Sequence, residues 1–406
     1  MAEIEVPSDF LCPISLQLMR DPVTISTGIT YDRESIKKWL SSCKNQPLSC
    51  PVSKQALSSV DLTPNHTLRR VIQGWCSLNE RHGVEQIPTP EDESDRGDVV
   101  KLILKEAMKS PRSSMLECLK RLKSIVAENE SNKIYLQNVE SMVFLTSILF
   151  EDEDEDEDED AMVEEAIEII TDINSPTIIL NNVLTQNPQL IDTLISIITS
   201  TKSPKSRAST IAFLSSLYTI SDQMHKTFTK DILFIQLTRA LKDQVATKPA
   251  LQILLRLAPF GRNRIKAVKH GVVFCVVELL LNSTNGKECE LAMAVLDRLC
   301  ECAEGRAELL QHGGGMAVVG RKILRVSNLG NEKAVRILYN VCKNNVGNCG
   351  VAEEMVEVGV VGKLCLMLQV GGNLKTKERI KEILHLLQCV FKGTKCVVVP
   401  SGFDRF

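Results

Sequence analysis

From Val99 to about Lys395, leucine, isoleucine, valine and alanine recur at the three-to-four-residue spacing of amphipathic helices, broken by short clusters of Asn, Gly, Ser and Lys. Six apolar stretches, MVFLTSIL, LIDTLISII, ILFIQLTRAL, VVFCVVELL, MAVVGRKIL and VVGKLCLML, end at Leu149, Ile198, Leu241, Leu280, Leu324 and Leu368. Each precedes a second one: AIEIITDI, IAFLSSLY, ALQILLRLA, AVLDRLCE, AVRILYNVC and IKEILHLL. The intervals average about 44 residues. A helix pair cannot bury its apolar faces until the next pair stacks on it, so a repeat of this length predicts an α-solenoid.

The first 80 residues read differently. In residues 6–80 prolines and glycines interrupt short apolar runs. Val23 to Ile25 and Ile29 to Tyr31 flank Thr27-Gly28 and predict a small hairpin. Asp32 is placed to cap a helix with Ile36, Trp39 and Leu40 on its apolar side. Asn65 is placed to cap a second helix burying Leu68, Val71, Ile72 and Trp75. Residues 81–98 are polar and acidic and predict a linker. The solenoid is then expected over 99–395, with the all-acidic run at 151–160 as a disordered loop or, on a second reading, a docking site for basic partners.

Within each second helix one polar residue interrupts the apolar pattern: Asp172, Ser216, Arg256, Arg298, Asn340 and, less regularly, His385. Two readings stand for this row, a set of solvated helix positions or the lining of a substrate groove. Charge narrows the partners. The chain carries −3 overall and the acidic run alone −10, so the remainder holds +7, spread out with no nucleic-acid signature. The 14 cysteines are scattered through apolar segments, which fits a reducing compartment. No apolar run is long enough to span a membrane. Glu3, Glu5 and Asp9 stand where a secretory leader needs basic and apolar residues, so the expected location is the cytoplasm or also the nucleus.

The repeat period of 40 to 47 residues resembles armadillo and HEAT arrays, and the stretch from Asn263, NRIKAVKHGVVFCVVELL, resembles the armadillo motif. His270-Gly271, His312-Gly313 and Val358-Gly359 occupy the junction where a left-handed helix end favours glycine. In armadillo proteins the polar row faces a concave groove and is often asparagine, which here survives only at Asn340.

Residues 6 to 76 resemble the U-box of plant ubiquitin ligases: CPIS, LMRDPV, TGITYDR, KWL, CPVS and TPNHTLRRVIQGWC fall in the family's order and spacing. A zinc RING of similar shape would need about eight Cys and His ligands in paired spacings. This region offers Cys12, Cys43, Cys50, Cys76 and His66 with no Cys-x-x-Cys, so neither metal nor cofactor is expected. The resemblance implies that polar contacts replace the metal, with Asp21, Ser26, Thr27, Asp32, Arg33 and Asn65 as candidates and Cys12 and Cys50 structural. It further implies an E3 that binds a ubiquitin-loaded conjugating enzyme (E2) through Ile14, Leu16, Trp39 and Pro51. Lys54 falls where the family commonly bridges E2 and ubiquitin, as lysine instead of the frequent arginine. The transfer runs directly to a substrate lysine, and no cysteine of the chain is loaded.

The resemblance also implies a possible U-box homodimer and a place in stress or immune signalling. The alternatives are a non-catalytic armadillo scaffold or adaptor whose U-box is inactive, or an array acting alone. The glycines of His312-Gly313-Gly314-Gly315 suggest a hydrolase oxyanion loop but lack the accompanying Gly-x-Ser-x-Gly. Gly362-Lys363 lacks the leading glycine and the Ser or Thr of a phosphate loop.

Overall fold

The computed structural model describes residues 6–42, 49–57, 59, 61–79, 93–150, 157–345, 349–370 and 373–393. Linker residues 81–92, acidic residues 151–156 and the tail after Gly393 lie outside them. The chain divides into two compact units, Met1–Arg96 and Gly97–Phe406.

In the first unit β1 (Pro22–Thr24) and β2 (Thr30–Asp32) pair antiparallel, with Val23 opposite Tyr31. The turn closes at Gly28, whose φ of +79° only glycine adopts cheaply and whose amide donates to the Ile25 carbonyl at 2.9 Å. Helix α1 (Arg33–Ser42) follows, then β3 (Thr63–Pro64) on the free edge of β1, and helix α2 (His66–Leu78). A two-residue strand ending in proline has no period to read, so the sequence does not announce β3. The core gathers Phe10, Cys12, Met19, Val23, Ile25, Tyr31, Ile36, Cys50, Ile72 and Cys76. Trp39, Leu40, Leu68 and Trp75 pack against it, and Phe10 meets Trp75 edge-on at 5.9 Å. Val71, expected inside, is 52% exposed. The buried face of α2 runs through Arg69, Ile72 and Cys76, and at roughly 100° per residue its centre lies more than a third of a turn from Val71.

The second unit is an α-solenoid. It opens with a helix pair, α3 (Glu93–Lys109) and α4 (Arg112–Glu128), so the last six residues of the expected linker are helical. Six three-helix repeats follow. The first holds α5 (Glu130–Leu136), α6 (Val139–Ser147) and α7 (Glu157–Ile173); the second α8 (Thr177–Gln186), α9 (Leu190–Ser200) and α10 (Pro204–Ile220). The third holds α11 (Gln223–Thr227), α12 (Asp231–Lys242) and α13 (Thr247–Leu257); the fourth α14 (Gly261–Lys269), α15 (Val272–Asn282) and α16 (Gly286–Leu299). The fifth holds α17 (Ala303–Gln311), α18 (Gly315–Lys322) and α19 (Asn328–Asn344); the sixth α20 (Cys349–Glu357), α21 (Val360–Val370) and α22 (Leu374–Gly393). The third helices pack in succession from α4 through α7, α10, α13, α16 and α19 to α22, over one continuous core.

Two expectations change here. The acidic run is not loop throughout: its last four residues form the first turn of α7. Gly271 and Gly359 are left-handed, at φ +80° and +72°, but Gly313 is not. The glycine needed in that repeat is Gly315, where a Cβ would fall 2.1 Å from the Leu309 carbonyl oxygen, so the cluster serves close approach instead of a left-handed end.

Candidate functional site

The two loops around α1 are built on one frame. Loop one reads CPISLQ from Cys12 and loop two reads CPVSKQ from Cys50. In loop one the Cys12 amide donates to the Gln17 carbonyl and the Leu16 amide to the Cys12 carbonyl, both at 2.8 Å. In loop two the Cys50 amide donates to the Gln55 carbonyl at 2.8 Å and the Lys54 amide to the Cys50 carbonyl at 3.0 Å. The fifth residue of each is left-handed without being glycine: Leu16 has φ +57° and Lys54 φ +59°. A strained backbone at matching positions turns each of these side chains outward.

Strand β2 holds both loops through their thiols. The Asp32 amide donates to Cys12 Sγ at 3.3 Å, while the adjacent Tyr31 hydroxyl meets Cys50 Sγ at 3.0 Å. The Ser53 amide also donates to Cys50 Sγ at 3.4 Å. Burial disfavours a Cys50 thiolate, but the hydrogen bonds from Ser53, Tyr31 and Thr27 outweigh it and bring the thiol down to about 6. Burial and the neighbouring Cys50 push Tyr31 up.

Of the candidate polar network, Asp21 is the hub. Its carboxylate takes Arg33 Nε at 2.5 Å and lies 3.9 Å from Arg69 Nη1. Its carbonyl accepts from the Arg33 amide at 2.9 Å. Asp32 Oδ1 accepts from the amides of Arg20 and Asp21 at 2.9 and 3.1 Å, which directs this carboxylate to the end of loop one instead of to the expected cap of α1. Asn65 Oδ1 caps α2 through the Leu68 amide at 3.1 Å, and its Nδ2 donates to Thr30 Oγ1 at 3.4 Å. Ser26 is exposed and stands outside the network. Thr27 Oγ1 is buried without a hydrogen bond of standard geometry, and the Cys50 thiol is the polar group it influences.

Arg69 escaped the sequence reading although its side chain is 9% exposed. A signal existed, since it lies on the apolar side of α2 one turn from Asn65 and Ile72, and a cation there implies a buried partner.

The apolar candidates fall around these loops. Trp39 on α1 is half-buried and its Nε1 donates to the Ser49 carbonyl at 3.3 Å, which ties α1 to loop two. Lys54 Nζ lies 5.5 Å from the centre of the Trp39 ring, a cation–π arrangement that brings these two candidates together. Pro51 is half-buried beside them in sequence, and Val52, missed by the sequence reading, is 53% exposed. Ile14 is half-buried against the same core as Trp39, and Leu16 stands out at 74% exposure. Cys43 lies outside the described residues.

In the solenoid the polar row lies along the successive third helices. Asp172 and His385 are exposed; Ser216, Arg256, Arg298 and Asn340 are half-buried. Arg298 is committed internally, donating to Glu301 Oε1 at 3.0 Å. Glu301 also meets Arg264 at 2.9 Å and Arg336 at 3.6 Å. Arg336 grips the fully buried Asp297 side-on through Nε and Nη2, and Lys333 lies 3.6 Å from the same carboxylate. Burial pushes the Asp297 carboxyl up while Arg336 opposes the shift; Asp297 in turn pushes Arg336 up. Ser216 Oγ donates back to the Ala212 carbonyl at 3.3 Å. Among the described residues the Asn340 side chain makes no hydrogen bond.

Comparison with known proteins agrees with this geometry. Residues 6–81 match the U-box domain, and residues 98–403 match the plant U-box protein ARM repeat region. The chain is 42% identical over 301 residues to E3 ubiquitin-protein ligase PUB23 of Arabidopsis thaliana, covering 72% of this chain and 71% of that one. It is 42% identical over 326 residues to E3 ubiquitin-protein ligase PUB22 of the same plant, covering 72% and 74%. E3 ubiquitin-protein ligase PUB24, also from Arabidopsis thaliana, is 36% identical over 338 residues, covering 72% and 73%. With two family matches in tandem and relatives aligned over most of its length, the chain belongs to the plant U-box proteins that carry an armadillo-repeat region.

Proposed function

We propose that Ile14, Leu16, Trp39 and Pro51 seat the ubiquitin-loaded E2 through which this E3 ubiquitin-protein ligase acts, and that Lys54 bridges E2 and ubiquitin. The observation that carries the reading is the joint between α1 and loop two, where Trp39 is anchored to Ser49 and carries Lys54 on its ring. An apolar patch of this kind, with one aromatic anchor, is the usual centre of a protein interface. Lys54 offers a positive charge beside that patch, suited to holding a thioester-linked ubiquitin in one pose for attack by the substrate amine. The third-helix face of the solenoid binds the protein substrate.

Two finer points belong to the same proposal. The described cysteines are free thiols, a state that fits the cytoplasm or the nucleus, and a role in stress or immune signalling is carried over from the family resemblance. A second copy of the U-box is a further partner, for which Val71 and the 82%-exposed Leu78 on α2 supply apolar surface. The scaffold alternative would tolerate unusable residues at the E2 positions, and this chain has none there.

The test is autoubiquitylation of the full chain with activating enzyme, a panel of E2 enzymes, ubiquitin and ATP, with a zinc chelator in parallel. Chains should form equally with chelator and fall at least tenfold in Ile14→Ala and Trp39→Ala. Trp39→Ala building chains at the normal rate would sink the assignment.

A further inference from the structure

The stretch between the third helices α10 and α13 differs from the rest of the row. Helix α13 presents Lys248, Gln252 and Arg256 at four-residue spacing, hence on one face. The adjacent helix α10 carries Ala208, Ala212 and Ser216 at the same spacing. Ser215 Oγ donates to Gln252 Oε1 at 3.2 Å and fixes the register of the two helices. Lys248 is exposed and the other five are half-exposed, so cationic and small side chains reach the surface side by side on adjacent helices.

Several other charges on the third helices are neutralised from within. Glu165 and Glu168 on α7 hold Lys123 at 2.6 Å, and Lys205 lies 2.7 Å from Glu168. Arg298 and Arg336 are taken by Glu301 and Asp297. Arg256 is not: among the described residues its hydrogen bond is Nη1 to the Gln252 carbonyl at 3.2 Å, and no carboxylate lies within ion-pair reach. Burial pushes its pKa down, as expected for a cation losing water without gaining a counter-charge. A half-buried guanidinium left in this state favours any partner that supplies an anion in bidentate geometry.

We infer that Arg256, supported by Lys248, reads an anionic side chain, carboxylate or phosphate, in an extended segment of the protein substrate. The small residues of α10 leave room for that side chain, and the Gln252 amide nitrogen, unused among the described residues, donates to the segment's backbone. The inference rests on the third-helix face being the substrate surface and adds the chemical class it selects.

The experiment pans a randomised linear-peptide library against the full chain and against Arg256→Glu, with circular dichroism to confirm folding. The full chain should enrich Asp and Glu at one position, and Arg256→Glu should lose that preference and enrich Lys and Arg there. The selected peptide is then remade with Glu, phosphoserine or Gln at that position and titrated by fluorescence anisotropy. At least one anionic form should bind tenfold tighter than the Gln form, and the ratio of the two anionic forms says whether carboxylate or phosphate is preferred.

No acidic consensus from the full chain, or an acidic preference that survives in Arg256→Glu, overturns the inference. Asn340→Ala separates the two levels. If it weakens the selected peptide while Arg256→Glu leaves the preference intact, only the anion reading falls; if neither change matters, the third-helix face is not the substrate surface.

Discussion

Replacing Asp21 by alanine removes at once a carboxylate that Arg33 and the nearly buried Arg69 share. Breaking a buried pair from one side costs more than the pair contributes, since the remaining charge keeps its desolvation penalty. Asp21→Ala should therefore destabilise the U-box by about 2–3 kcal/mol. Arg69→Met should cost about half that, because Asp21 keeps Arg33 and the methionine refills the space. Denaturant unfolding followed by tryptophan fluorescence reads this cleanly, as the chain's two tryptophans, Trp39 and Trp75, both lie in the first unit. Equal costs for the two variants would show that Asp21 is no hub. At this scale the sequence named Asp21, Arg33 and Asn65 but not their pairing, which depends on which loop passes which strand. It also missed Tyr31 and the two thiols as partners, because a cysteine in an apolar run looks the same whether it merely packs or accepts hydrogen bonds.

The loops show what an element adds to its residues. Leu16 and Lys54 sit in left-handed backbone that costs a side-chain-bearing residue roughly 1 kcal/mol. Leu16→Gly should thus leave the U-box as stable or up to about 1 kcal/mol more so, since a 74%-exposed side chain packs little, while ubiquitin-chain formation falls at least tenfold. Unfolding and autoubiquitylation on the same preparation check it, and loss of stability in step with activity would reassign Leu16 to packing. CPIS and CPVS were legible as motifs, but their identity as one hydrogen-bonded frame was not, because it resides in carbonyls and amides that every residue carries. The helices are legible where a face is apolar throughout and misread where it shifts: Val71 falls with Leu68, Ile72 and Trp75 at helical spacing, yet it is exposed.

Across the whole molecule, the repeat length and the long helices of all six repeats were in the hydrophobic pattern, because stacking demands them. The first turns of α3, within the expected linker, and the start of α7 within the acidic run were not, since polar helical turns carry no period. The ladder of third helices is held by charge as well as by packing, through Lys123, Glu165, Glu168 and Lys205 from α4 to α10, and again where Asp297 and Glu301, in and just past α16, meet Arg336 on α19. Arg336→Ala should cost about 3 kcal/mol by leaving Asp297 short of its main counter-charge. It should lower the unfolding transition seen by circular dichroism, whose signal is dominated by the solenoid, and an unchanged transition would mean Lys333 alone suffices. The same contact limits how this array tolerates recombination. A crossover between α16 and α19 that keeps one repeat and imports its neighbour from another array inherits half of a charge set, whereas among the described residues no ion pair joins α10 to α13. The fourth and fifth repeats therefore travel as one cassette, and the solenoid is less modular than its regular spacing suggests.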